Sequence, residues 1–255
     1  MVALSSQDVY RAYGRVQGTE PGSPDPVPLT EKAPLRERLY PYRAETSRAQ
    51  DDPYRWMDDY DKILVERVVL GDPELPGTVL RLPMVYGQRD RQQRVAEYLQ
   101  RMDAGERGIC LSESKAAWRW TRGYVEDMAH AITLAVIDGR AANKVYNVGE
   151  PEALSTEEWV RAIAQAAGWQ GEVVVMPEEA LPEGMRAGID TRQDLVVDTR
   201  RIRGELGYAE MTPRDEALRR TVAWERYNPP ETIDPSVFDF QAGKAAVQAW
   251  RRKIG

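Results

Sequence analysis

Short apolar strands and glycine-ended helices take turns along residues 2–150, and that alternation constrains the fold more than any other feature. Residues 2–6 read as a buried strand, and "YDKILVERVVL" (60–70) carries Ile63, Leu64, Arg67 and Val68 at amphipathic-helix spacing. "TVLRLPMVYG" (78–87) is a strand running into a turn bounded by proline and glycine. "QQRVAEYLQRMDAG" (92–105) and "GYVEDMAHAITLAVIDG" (123–139) are helices that stop at glycine, and "KVYNVGE" (144–150) is another strand. Strand and helix in alternation favour an α/β chain with a parallel, doubly wound sheet.

Two stretches depart from this rhythm. Residues 15–57 gather prolines, glycines and charges, as in "GTEPGSPDPVPLTEKAP", and read as a long, mostly irregular excursion of the kind that more often serves function than connection. After residue 150 the texture changes. Ser155 with Glu158 three residues on is a capping-box pattern, followed by a Val-rich strand (173–175) and helical pieces near 198–206 and 213–227. The expected division is 1–150, a smaller α/β lobe at 151–228, and a tail at 229–255.

Composition removes several classes of function. A net charge of −6 argues against a general nucleic-acid binder, which would present a basic stripe. The seven-residue "AITLAVI" is among the longest apolar runs, too short to cross a bilayer. One cysteine, Cys110, excludes an intrachain disulfide and suits a reducing cytoplasm, and with one histidine a Cys/His zinc site is all but excluded. No metal is expected, no basic-then-apolar leader precedes Val2, and the expected location is cytoplasmic.

The stretches "SSQDVY", "PLTE", "KILVE", "TVLRLPMVYG", "RGYVEDMAHAI", "VYNVG" and "RIRGELGY" come in the order found in extended short-chain dehydrogenases/reductases. Over residues 2–228 the chain resembles, more narrowly, the NAD-dependent epimerase/dehydratase group. The resemblance implies a Rossmann-like domain, NAD or NADP as cofactor, and a small-molecule substrate (a sugar or other hydroxylated metabolite) held between the sheet and the 151–228 lobe. It also implies a homodimer built on helices such as 60–70 and 92–105.

By the same resemblance Ser6 is the strand-end hydroxyl that contacts the reacting oxygen, with Ser5 beside the substrate. Lys62 holds the cofactor ribose, Pro83 and Val85 pack near the nicotinamide, and Met84, Tyr86 and Arg122 face the substrate. Arg89 and Arg91 are weaker phosphate candidates. The family tyrosine stands four residues before its lysine, where a helix puts both on one face and the lysine can lower the phenol pKa. Here that position is Asp58, and Tyr60 lies only two residues away, about 200° around a regular helix. Three readings stay open: Tyr60 precedes the first turn, capped by Asp58 or Asp59, and reaches the site; Asp58 takes the proton; or catalysis is lost, leaving a binding or scaffolding relative.

None of the nineteen glycines falls in a G-x-G-x-x-G or G-x-x-G-x-x-G turn; Gly14, Gly18 and Gly22 have the wrong spacing and run into prolines. The expectation is therefore a chain that begins after the cofactor-binding half, as a truncation, a mis-set start, or one member of a split pair. Other conspicuous positions have plain readings. Met84 also suits a core filler, His130 a structural histidine and "WRW" (118–120) lobe packing, while Glu126 and Asp127 are adjacent on a helix and do not face each other.

Overall fold

The computed structural model describes residues 1–43, 46–229 and 240–254. In chain order the first elements are β1 (Val2–Ser6), α1 (Arg11–Val16), α2 (Lys62–Gly71), β2 (Thr78–Leu82), β3 (Met84–Tyr86), α3 (Ala96–Asp103), β4 (Gly108–Ser112) and α4 (Glu113–Ala117). Then come β5 (Arg122–Tyr124), α5 (Val125–Ile137), β6 (Lys144–Asn147), α6 (Thr156–Ala167), β7 (Glu172–Met176), α7 (Arg200–Leu206), α8 (Arg214–Tyr227) and α9 (Phe240–Ile254). The fold is mixed α/β, and its named strands pair in parallel.

These elements form two units that interleave along the chain. One holds Met1–Pro83, Met128–Pro151 and Gln193–Ala209; the other holds Met84–Asp127, Glu152–Arg192 and Glu210–Gly255. The sequential division at 150 and 228 cuts across both.

The first unit is built on a parallel sheet ordered β1–β2–β6, in register from Val2 opposite Thr78 to Thr78 opposite Lys144. The central strand "TVLRL" is buried because it has a neighbour on each edge, and Val79 and Leu80 are fully enclosed. Helix α2 packs Ile63 and Val69 inward with Glu66, while Val65, Val68 and Leu70 stay exposed. Glu66 is not stranded, because Arg81 on β2 meets it through two hydrogen bonds of 2.9 and 2.7 Å and Ser5 donates to it at 2.5 Å. Arg81 also donates to the Tyr10 hydroxyl, which donates in turn to Asn147 at 2.6 Å. Buried charge is tolerated only when paired and hydrogen-bonded in this way.

The second unit sets the β4–β7 pair against helices whose apolar faces meet around Trp159, Ile163, Leu218 and Val222. Helix α6 begins with the expected reciprocal cap between Ser155 and Glu158 and ends at Gly168 in the left-handed region. The expected single strand at 78–87 is two strands in two sheets. Pro83 cannot donate to a ladder, so pairing breaks there, and β3 continues against β5. Residues 240–254, expected as a tail, form α9, whose Val247 packs with Cys110, Met176 and Leu181. Among the described residues no helix is long and apolar enough to cross a membrane.

Candidate active site

The C-terminal end of β1 runs straight into a short 3-10 turn, Gln7–Val9, because the Ser6 hydroxyl accepts the Asp8 amide at 3.2 Å and caps it. That cap turns the Asp8 carboxylate inward, where it is 2% exposed. Three tyrosines gather around it. Tyr42 donates to Asp8 at 3.0 Å and lies 3.2 Å from the Tyr13 hydroxyl, and the Tyr60 phenol lies close enough to act on the carboxylate's charge. The rings of Tyr42 and Tyr60 meet edge to face at 5.4 Å. Arg36, buried, donates from Nε to the Asp8 carbonyl and pairs with Asp61.

Asp61 explains how Tyr60 and Lys62 come together despite their spacing. It is the N-cap of α2, accepting the Ile63 amide at 2.8 Å and the Tyr40 amide at 2.6 Å. Tyr60 therefore lies outside the helix, with extended backbone (φ −76°, ψ 122°), and the 200° separation of a regular helix does not apply to it. Lys62, the first helical residue, places Nζ 5.3 Å from the Tyr60 ring centroid. The cap is Asp61, and neither Asp58 nor Asp59 serves. Asp58 sits in the preceding 3-10 turn (Arg55–Asp59), held by the Arg48 amide and by the guanidinium groups of Arg48 and Arg55. Those donors, the Arg48 amide foremost, hold its carboxyl below the usual range, which makes it a poor proton acceptor.

The electrostatics of the cluster run opposite to a lysine-activated phenol. Burial, and after it the Asp8 charge, push the Tyr60 phenol well above its ordinary value. Burial likewise raises Asp8 against the lowering hydrogen bond from Tyr42 and the charge of Arg36. Asp8 Oδ1 is buried with no hydrogen-bond partner among the described residues. Asp8 is the residue that motif reading passed over. Its one sequence signal is position, two residues after the strand-end serine, inside the apolar "DVY" run.

The remaining sequence-predicted residues lie as follows. Ser5 is buried and committed to Glu66. Pro83 is buried directly after β2. In the second unit Val85 pairs with Gly123 of β5, and its carbonyl accepts Arg94 at 2.7 Å. Met84 and Tyr86 are core residues there, Tyr86 packing on Trp159 at 4.9 Å. Arg122 is buried as well, donating to the carbonyls of Trp120 and Leu154 above the Trp159 ring. Arg89 and Arg91 are exposed on the turn after β3. Asp127 accepts the amides of Met211 and Thr212, while Glu126 pairs with Arg220, so these adjacent acids serve separate contacts. His130 lies beside Tyr208, and the Trp118 and Trp120 rings are 5.4 Å apart.

The second unit has its own cavity, about 470 Å³, lined among others by Tyr98, Arg101, Cys110, Lys115, Met185 and Arg186. Three cations, a phenol and the Glu97 carboxylate line this cavity. Among the described residues no group of three His, Cys, Asp or Glu side chains is placed to hold a metal ion.

Residues 36–149 match the model of the "NAD dependent epimerase/dehydratase family". Over this segment the chain is similar to that family. A dTDP-glucose 4,6-dehydratase of Streptomyces griseus is 36% identical over 101 residues, which is 40% of this chain and 28% of that protein. The fold is shared with MoeE5, solved with UDP-glucuronic acid and NAD (TM-score 0.59, 23% identity, 89% of this chain and 64% of that one). It is also shared with the UDP-glucose 4-epimerase of Thermotoga maritima, solved with UDP-glucose (TM-score 0.60, 20% identity, 90% and 64%). The chain thus spans 28% of the curated relative and 64% of these two solved ones.

That likeness raises the question of the cofactor, and Lys62 provides the test. Its ammonium faces the Tyr60 ring and has no carboxylate partner among the described residues, so its donors are available to the hydroxyls of a ribose. That end of a nicotinamide nucleotide fits. The sequence contains no glycine-rich turn for the diphosphate end.

Proposed function

We propose that the chain carries the proton-handling half of an NAD(P)-dependent epimerase, dehydratase or reductase acting on a nucleotide sugar. The observations that support this reading are the Lys62 ammonium beside the Tyr60 ring and the Asp8 carboxylate, next to the Ser6 cap, acting on the Tyr60 phenol. Bound NAD or NADP supplies hydride exchange at the carbinol carbon. The Ser6 hydroxyl donates to the substrate oxygen as charge builds on it. Tyr60 moves the proton at that same oxygen, and Lys62 lies alongside to hold the ribose and to stabilise a tyrosinate.

Because Tyr60 is held above its ordinary value, it carries its proton at neutral pH and gives it up only to an oxygen that becomes strongly basic, such as the alkoxide formed as a carbonyl is reduced. In the oxidative direction it must first lose that proton. Oxidation of UDP-glucose at saturating NAD+ is therefore expected to climb about tenfold per pH unit across pH 7–9. A plateau near neutrality in the pH–rate profile would remove Tyr60 as the proton acceptor. The same raised phenol favours a second reading, a substrate-binding relative without turnover, which the profile also detects as a flat baseline.

Two further features support partners. Strand β1 has a neighbour only on its β2 side among the described residues, and Leu4 is exposed on it, so its outer edge suits further strands supplied from outside these 255 residues, together with a phosphate-binding turn. The exposed Val65, Val68 and Leu70 on α2 suit a homodimer through that face. Val68→Asp is expected to shift a dimer to a monomer in light scattering, and an unchanged mass would place the interface elsewhere.

A further inference from the structure

Glu225, on α8, is 3% exposed, yet neither of its carboxyl oxygens has a hydrogen-bond partner among the described residues. A charged carboxylate in that setting is strongly disfavoured against its neutral acid. What faces it is the turn after β3: the Asp90 carboxylate and the Val95 amide. The turn is tightly wound. Arg89 and Gln93 both have positive φ (66° and 44°), and Gly87 has φ 135° at a position where a Cβ would meet Val125 at 2.5 Å. Asp90 holds the turn from inside, accepting the Gln92 and Arg94 amides and pairing with the Arg94 guanidinium at 2.9 Å. Gln93 ties it to the end of α8 by donating to the Asn228 carbonyl at 3.1 Å.

The other charged groups on elements packed around α8 are engaged elsewhere. Asp103 of α3 pairs with Arg226, Glu126 of α5 pairs with Arg220, and Glu157 and Arg161 of α6 pair with each other. Among the described residues, the charge that acts on Glu225 is the Asp90 carboxylate.

We propose that Glu225 is a proton-operated latch: neutral, it lets α8 lie flush against the 87–95 turn, and ionised, it repels Asp90 and loosens that turn with Arg89 and Arg91. Burial, with Asp90 adding to it, pushes the Glu225 carboxyl up to about 7. The sign follows from linkage. Below the ordinary glutamate range the acid is neutral whether the turn is closed or open. As pH rises from there toward 7 the open turn ionises first, so closure weakens through that window and weakens no further above it.

Hydrogen exchange followed by mass spectrometry on the full chain tests this. Protection factors for amides in 87–96, corrected for intrinsic exchange, are expected to fall at least about tenfold between pH 5.5 and pH 8, while those in β2 hold. Glu225→Gln, which keeps the shape and cannot ionise, is expected to abolish the fall. Glu225→Leu serves the same purpose should the glutamine variant fail to fold. Equal protection at the two pH values in the wild type, or an undiminished fall in the variant that folds, would overturn the latch.

Discussion

Replacing Arg81 with methionine is expected to cost the first unit about 3–5 kcal/mol of stability, the range found when one partner of a buried ion pair is removed. The Arg81 and Glu66 side chains are each 4% exposed, and a lone Glu66 would keep only the Ser5 hydroxyl as donor. The same change takes a donor from the Tyr10 hydroxyl and from the Glu31 carbonyl, each 3.0 Å away. One arginine therefore links β2, α2 and the Tyr10–Asn147 bridge that reaches β6. The double variant Arg81→Met with Glu66→Leu is expected to recover most of the loss, because an apolar pair of similar volume leaves no buried charge. Chemical denaturation followed by circular dichroism measures both. A single variant within about 1 kcal/mol of wild type would mean that the network contributes little.

How much of this was legible in the sequence follows from what local pattern encodes. Residues 2–6 and the strand after Lys144 were readable because buried parallel strands are short apolar runs. The Ser155–Glu158 cap was readable because its two partners are three residues apart. The break at Pro83 was written in the sequence, yet a strand running through it fitted the apolar run equally well, and only pairing with β5 decides between them. Residues 108–117 gave no clear period, since β4 pairs with β7 some sixty residues later and α4 is too short to show one. The candidate site divides in the same way. Ser6 and Lys62 follow from motif order. Tyr60 became interpretable only once Asp61 was seen to cap the helix, which a choice between Asp58 and Asp59 had missed. Asp8 owes its role to Tyr42 and Tyr60, 34 and 52 residues away, and no spacing rule brings those three together.

The central proposal is that Tyr60 moves the proton at the substrate oxygen while Lys62 holds the ribose and stabilises the tyrosinate. A phenol that moves the proton contributes roughly 10²–10⁴ to the rate, so Tyr60→Phe removes most of the turnover while leaving substrate binding intact. Lys62→Ala deletes the charge beside the nascent tyrosinate and the donors for the ribose, so it is expected to lower kcat and to raise the cofactor concentration needed for half saturation. Neither change touches the buried core: Tyr60 and Lys62 are both half-buried at the surface end of α2, and the Asp61 cap that starts the helix is untouched. A loss of activity with unchanged circular dichroism is then chemical and not structural. The deciding measurement is the appearance of reduced nicotinamide from UDP-glucose and millimolar NAD+ in wild type, Tyr60→Phe and Lys62→Ala, each supplied with the strands and phosphate-binding turn that complete the β1 edge. Turnover in the wild type with a loss of at least about a hundredfold in Tyr60→Phe is the expected result. Equal rates in all three proteins, or none in the wild type, would contradict it.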